Sequence, residues 1–328
     1  MSFSPTTTPP WGSPQPPSTT LQVPRKLSPG PTAKGLCDAQ NRWKHRATNQ
    51  PRPISDADGR IFAVLAGQPN DASYKNASHK AFTSLSEAGD ATHFRPKDKK
   101  HRRGHFPALN VGVTHGKGTA HPINLNTKPY DATVKRVLQD PNIQRLASFA
   151  DASFALWAPN IYHYYQSRLN SLWIKMPELR KNFHRSIFTS AAFNFGPQVR
   201  TFKHRDYLNC PFGWCSVQAL GTFDATKGSH LILWEARLVI EFPAGSLVLI
   251  PSATITHSNT PSLPHENRVS FTQYCAGGLF RYVDNGFRTD HELEIEDPTL
   301  FNELLKLKNS RWESGLKLYS TLSEIRHS

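Results

Sequence analysis

From Ser190 to Tyr274 the chain reads as a series of short apolar runs: Val199–Phe202, Ser216–Phe223, Leu231–Phe242, Ser246–Ile250 and Arg268–Tyr274. Val, Ile, Leu and Phe recur in them, residues that suit a pleated, half-buried surface. Turn-forming residues separate the runs, as in Pro243-Ala244-Gly245 and Pro251-Ser252. Many short strands with frequent turns predict a barrel or jelly roll, in which sheet edges are closed or covered.

Upstream, Ile61–Ala66 and Leu109–Val113 also read as strands. Thr133–Phe149 carries Val134, Val137, Leu138, Ile143 and Leu146 at helical spacing, and Pro141 must kink or divide it. After Pro159, a stripe of Ile161, Tyr165, Leu169 and Leu172 predicts a second helix, with its tyrosine in the core rather than at a cofactor. A final helix starts at Pro298 with Asp297 as N-cap. Leu300, Leu304, Leu305, Trp312, Leu316 and Tyr319 are candidates for its buried side, with Gly315 as an interruption. The expected class is α+β: a β core with flanking helices.

The 328 residues suffice for one large domain, yet only 38% are hydrophobic. The deficit lies at the start, where nine of 26 prolines fall within residues 1–31. Such a stretch cannot bury apolar area, so residues 1–35 read as a disordered tail. Residues 36–130 read as an N-terminal elaboration with a basic loop, and 131–328 as the core domain. No secretory apolar region and no run near the ~18 apolar residues of a membrane span is evident, so a soluble, intracellular protein is expected.

Lys and Arg number 39 against 25 Asp and Glu, a net charge of +14 that suits an anionic partner. Lys97-Asp98-Lys99-Lys100-His101-Arg102-Arg103 is the densest basic cluster. It suits DNA phosphates, a nuclear-import signal or simply a solvated loop. Cys210 and Cys215 have zinc-like spacing, but no second pair completes a site, and all four cysteines read as thiols.

The chemistry concentrates in His204-Arg205-Asp206. Residues two apart on a strand point the same way, so His204 and Asp206 present an imidazole and a carboxylate together. His257, beyond the turn and strand of Gly245–Ser252, is placed to supply a third ligand. Two histidines and one carboxylate on one face of a metal leave the opposite positions open, which suits Fe(II) activating oxygen. Arg268 then projects from a strand into the cavity, where a guanidinium is costly unless it meets an anion. A dicarboxylate held by the metal at one end and by Arg268 at the other, with Ser270 facing the same way, completes the site. Arg200, four residues before His204, is a further candidate for the co-substrate. Read singly, His204 and His257 are ordinary turn residues and Arg268 a surface ion pair; the ordered set in a β context points to a metal.

These residues resemble the 2-oxoglutarate- and Fe(II)-dependent dioxygenases. His204-Arg-Asp-Tyr-Leu-Asn209 followed by Arg268-Val-Ser-Phe-Thr-Gln-Tyr274 is similar to the TET/JBP branch, which oxidises methyl groups on nucleic-acid bases, and Phe193–Arg288 resembles its basidiomycete, transposon-associated members. The resemblance implies a double-stranded β-helix (jelly-roll) core and iron ligands His204, Asp206 and His257. It implies a 2-oxoglutarate clamp at Arg268 with Ser270, Asn209 on the target base's polar edge, and Tyr274 stacked on the base. From the residues alone, Asn209 also reads as a turn former and Tyr274 as a core aromatic. A base oxidised within a duplex must be flipped into a pocket, where an aromatic face and an amide hold it.

Some members carry a histidine two residues past the stacking aromatic, where this chain has Ala276. The expected activity is oxidation of 5-methylcytosine in duplex DNA to 5-hydroxymethylcytosine or beyond, in the nucleus. N6-methyladenine demethylation is the alternative base, followed by a protein hydroxylase and by an inactive DNA-binding module.

Overall fold

The computed structural model describes residues 51–116, 118–307 and 310–327. The proline-rich tail expected over residues 1–35, and Cys37, lie outside them. Eleven strands are present among the described residues. They are β1 (Arg52–Ser55), β2 (Ile61–Gly67), β3 (Ala108–Thr114), β4 (Ile123–Asn124), β5 (Ser190–Asn194) and β6 (Cys215–Thr222), then β7 (Leu231–Leu233), β8 (Leu238–Ile240), β9 (Leu247–Ile250), β10 (His257–Asn259) and β11 (Asn267–Tyr274). Helices α1 (Ala72–Asp90), α2 (Pro96–Lys99), α3 (Asp131–Gln139), α4 (Pro141–Trp157) and α5 (Pro159–Lys175) precede β5. Helices α6 (Gly277–Asp284), α7 (Asp290–Glu296), α8 (Pro298–Leu307), α9 (Arg311–Leu316) and α10 (Leu322–His327) close the chain.

The strands form two antiparallel sheets: a large one in the order β1-β2-β9-β6-β11-β5-β3-β4, and a small one in the order β10-β7-β8. This is the expected α+β architecture, a jelly-roll core with flanking helices. Alternation along β11 decides what lies on each face. Val269 and Phe271 join Phe193 of β5 and Leu220 of β6 in one apolar cluster with Leu85 of α1, Val137 of α3 and Leu146 of α4. Phe193 and Phe271 stack with centroids 5.2 Å apart. Helices α1, α3 and α4 therefore cover one face of the large sheet. Arg268, Ser270 and Tyr274 point away from them. Against the other face packs the small sheet, whose Leu231, Leu233, Leu238 and Ile240 share a second cluster with Ala219 and Val248.

The helical pattern is realised closely. Pro141 divides the first stretch, and the Asp140 side chain caps α4 by accepting from the N–H groups of Asn142 and Ile143 at 2.7 and 3.1 Å. The buried side of α5 consists of Ile161, Tyr165, Leu169 and Leu172. Asp297 accepts from Leu300 N at 3.0 Å at the start of α8, but no residue of α8 is buried and Leu305 is exposed. Tyr319 is buried, whereas Trp312 and Leu316 are only partly so. Gly315 does not break α9: a Cβ there would come within 2.3 Å of Phe212, so the residue permits close packing.

Two strand expectations are corrected. Val199–Phe202 is not a strand: Val199 N bonds to Arg268 O on β11 while Phe202 N bonds to Arg103 O on another segment, so no continuous ladder forms. Leu231–Phe242 is a hairpin, because the chain reverses between Leu233 and Leu238, with Arg237 at φ +54°. Within residues 51–130, β1 to β4 form half the strands of the large sheet. Among the described residues, no helix is long and apolar enough to cross a membrane.

Candidate metal centre

His204 and His257 face each other at an isolated antiparallel bridge, with His204 N donating to His257 O at 3.0 Å and His257 N to His204 O at 2.9 Å. Directly paired residues project to one side, and the imidazole centroids lie 4.3 Å apart. Asp206 is fixed separately, through its N–H to Ser252 O at 2.8 Å. His204 and Asp206 thus meet on a loop stitched to β10 and to Ser252, and not on a continuous strand as the sequence suggests.

One ligand atom from each residue lies within 4.8 Å of the others, and among the described residues this is the only such group of three. His204 Nε2 is 4.0 Å from Asp206 Oδ1, and His257 Nε2 is 3.9 Å from Oδ2. Each imidazole donates its Nδ1–H to a backbone carbonyl, His204 to Phe202 O at 2.6 Å and His257 to Ile255 O at 3.0 Å. A carbonyl only accepts, so both Nε2 lone pairs face Asp206, the tautomer a metal needs. Burial, reinforced by His257, lowers the His204 pKa to about 4 and keeps the ring neutral. Burial alone would raise the Asp206 pKa, but Arg103, the two histidines and Arg102 together hold it below its ordinary value. The carboxylate is therefore ionised; its buried Oδ1 accepts no well-aligned hydrogen bond and has the Arg103 guanidinium 2.9 Å away as its ion-pair partner. The neutral His204 ring, the His257 ring with its Nδ1 tied to a carbonyl and one ionised carboxylate fit Fe(II).

On β11, Arg268 is 1% exposed. Nη1 donates to Val199 O at 2.8 Å, Nε has no partner, and burial alone lowers the pKa to about 10, still leaving a cation. A surface ion pair is thereby ruled out. A buried cation without a carboxylate fits one end of a diacid such as 2-oxoglutarate. Ser270 is buried two residues on and accepts from Asn194 Nδ2 at 2.9 Å. Tyr274 continues the same face, and its hydroxyl reaches Asn110 Oδ1 at 3.3 Å. Burial pushes that hydroxyl up to about 12, against the charge of Arg103.

The remaining candidates divide. Asn209 donates its side-chain amide to Ser252 Oγ at 3.0 Å and bridges Ala276, so it stands in the site's wall directly opposite that alanine. Its N–H closes a turn onto Asp206 O at 2.8 Å, as a turn-forming asparagine would. Arg200 is exposed and makes no hydrogen bond or ion pair with the triad. The residues between it and His204 form no strand that could align the two.

Sequence reasoning missed Arg103. His101 and Gly104 pair with each other, leaving Arg102 and Arg103 at the tip of a tight turn. Arg103 reaches Asp206 Oδ1 at 2.9 Å and Arg102 lies at 3.8 Å. A Cβ at Gly104 would come within 2.5 Å of Arg200 O, so only glycine lets this turn approach so closely. Asn110 and Ser252 were missed as well. Only the basic run itself was a signal, and it does not distinguish its members.

No protein-family model and no curated protein matches the sequence. Among solved structures, NgTET1 in complex with 5mC DNA is similar over 82% of this chain and all of that one, at 12% identity and a TM-score of 0.41. A 2OG-Fe(II) oxygenase family oxidoreductase from Burkholderia pseudomallei is similar over 76% and 93%, at 12% identity and a TM-score of 0.33. OsALKBH1 is similar over 61% and 93%, at 10% identity and a TM-score of 0.36.

Proposed function

We propose that this protein is an Fe(II)- and 2-oxoglutarate-dependent dioxygenase that oxidises the methyl group of 5-methylcytosine in DNA. The observation that carries this reading is the convergence of His204, Asp206 and His257 on one point with both Nε2 lone pairs directed inward. The buried, acid-free Arg268 supports a dicarboxylate co-substrate. The net charge of +14 supports a nucleic-acid partner. The same reading makes the protein nuclear, with exposed Lys97, Lys99 and Lys100 available to an import receptor.

When bound, Fe(II) with 2-oxoglutarate and O₂ places one oxygen atom in the methyl C–H bond and the other in succinate, with release of CO₂. The chain does the positioning. The carbonyls of Phe202 and Ile255 lock the two histidine rings, and Asp206 supplies the negative charge. Arg268 fixes the far carboxylate of the co-substrate, with Ser270 beside it. Tyr274 offers a face for a flipped base, and Asn209 and Asn110 offer amides to its edge.

The test is to incubate methylated duplexes with the full chain, Fe(II), 2-oxoglutarate and ascorbate, and to analyse the nucleosides. Hydroxymethylcytosine is expected. No modified product from 5-methylcytosine or N6-methyladenine overturns the substrate class, and succinate release driven by peptide but not DNA replaces it with a protein hydroxylase. N6-methyladenine is the second reading because Ala276, facing Asn209, brings no polar group to a base edge. Wild-type protein that binds DNA but takes up no Fe(II) would favour the inactive binding module.

A further inference from the structure

β10 carries a second polar residue on the face of His257. Strand residues two apart project to the same side, so Asn259 points where His257 does. The pairing agrees: His257 stands opposite Leu233 and Asn259 opposite Leu231, and both leucines are buried in the cluster between the sheets. Asn259 is 9% exposed. Its N–H donates to Thr201 O at 3.1 Å and its Oδ1 accepts from the Thr201 hydroxyl at 2.6 Å, which leaves Nδ2 buried without a hydrogen-bond partner. The segment that holds Asn259 also holds Arg268. Val199, two residues before Thr201, donates its N–H to Arg268 O and accepts from Arg268 Nη1, and Arg268 Nε is likewise buried without a partner. One short segment is thus gripped by Asn259 from the small sheet and by Arg268 from the large one, and each side chain has a buried donor left over. A buried donor without an acceptor costs free energy, and an apolar side chain of similar size would avoid that cost at either position. A carboxylate, which has several lone pairs and donates nothing when ionised, satisfies both donors together.

Resting on the dioxygenase reading above, we propose that Asn259 donates through Nδ2 to the far carboxylate of the 2-oxo diacid that Arg268 pairs with, and so selects a diacid as co-substrate. Two residues along a strand cover about 7 Å, which sets Asn259 one five-carbon diacid away from the metal ligand His257. The carboxylate is then held from both sheets at once. A monoacid of the same chain length brings no acceptor to either donor, and its binding leaves both of them buried and unpaired. Asn259 therefore adds a hydrogen bond of fixed direction to the charge that Arg268 supplies.

The test is calorimetric binding of 2-oxoglutarate to the Co(II)-loaded full chain, without nucleic acid. Asn259→Leu, close in volume, should weaken binding about thirtyfold while Tm holds, because the variant removes an unpaired buried donor. Asn259→Asp keeps an acceptor for Thr201 but sets an anion beside the carboxylate, and should weaken binding at least about a hundredfold. Thr201→Val removes only the hydrogen bond to Oδ1 and should bind within about threefold of wild type, which separates contact with the diacid from support of the segment. Asn259 variants that bind 2-oxoglutarate like wild type overturn the proposal and leave the dioxygenase reading intact. A loss in Thr201→Val as large as that in Asn259→Leu also overturns it, by making Asn259 a structural residue. A wild type that takes up Co(II) but no 2-oxoglutarate removes the dioxygenase reading and this proposal with it. Asn259-dependent binding in a protein that oxidises no base leaves the proposal standing and removes the nucleic-acid substrate instead.

Discussion

The large sheet and the small sheet each bury a charge, and they do so in opposite ways. On β11 of the large sheet, Arg268 is a cation with no acid beside it. Next to β10 of the small sheet, Asp206 is an acid with two arginines and two histidines around it. The sheets differ in regularity too: β11 runs for eight residues between two partners, whereas β10 has three residues and His204 only a single bridge. A regular strand holds an arginine rigidly in wait for an anion. A loosely stitched loop lets polar groups converge from several segments on one point.

The sharpest way to break this contrast is at the triad. His204→Ala should abolish turnover, a loss of more than about a thousandfold, with Co(II) binding lost by absorption spectroscopy and the circular dichroism unchanged. Retained Co(II) binding would separate the metal site from these residues. Phe271→Ala, on the helix-covered face of the large sheet, should leave the ligands alone and cost about 3–5 kcal/mol of stability by chemical denaturation. A smaller loss would mean that this sheet is not the rigid partner.

Much of that division could be read in the residues. The stronger strands, β2, β3, β6, β9 and β11, announced themselves because each fills a face of the large sheet with apolar side chains. The divided helix and the stripe on α5 were legible for the same reason. The turn at Trp234–Arg237 was not, since it reverses without Gly or Pro, and Arg237 adopts a left-handed conformation that its sequence does not advertise. Val199–Phe202 looked like a strand because β-branched and aromatic residues favour strands, a preference that says nothing of where their N–H groups go. At the site, the residue types of the triad and Arg268 were recoverable from chemistry alone. Arg103 was not: a run of basic residues does not say which member folds back onto a carboxylate.

Two smaller effects sharpen the comparison of the charges. Arg268→Met should raise the apparent KM for 2-oxoglutarate about a hundredfold while Tm holds or rises, because the variant removes a buried cation that lacks a counter-ion. A lower Tm with unchanged KM would make Arg268 a structural residue. Arg103→Gln should tighten binding of Mn(II) alone by about tenfold in calorimetry, since a competing positive charge leaves the carboxylate. Weaker metal binding would show instead that Arg103 orients Asp206.

The order of the large sheet has a consequence for how the protein can be dissected. β1 and β2 flank β9 on one side, and β3 and β4 flank β5 on the other, so the earliest strands sit outermost at both ends. A fragment starting at residue 131 would bare the ladders of β9 and β5 together, two raw margins open to pairing with neighbouring molecules. Cutting away the first 130 residues to isolate a minimal enzyme would therefore yield an aggregate, however intact its catalytic residues.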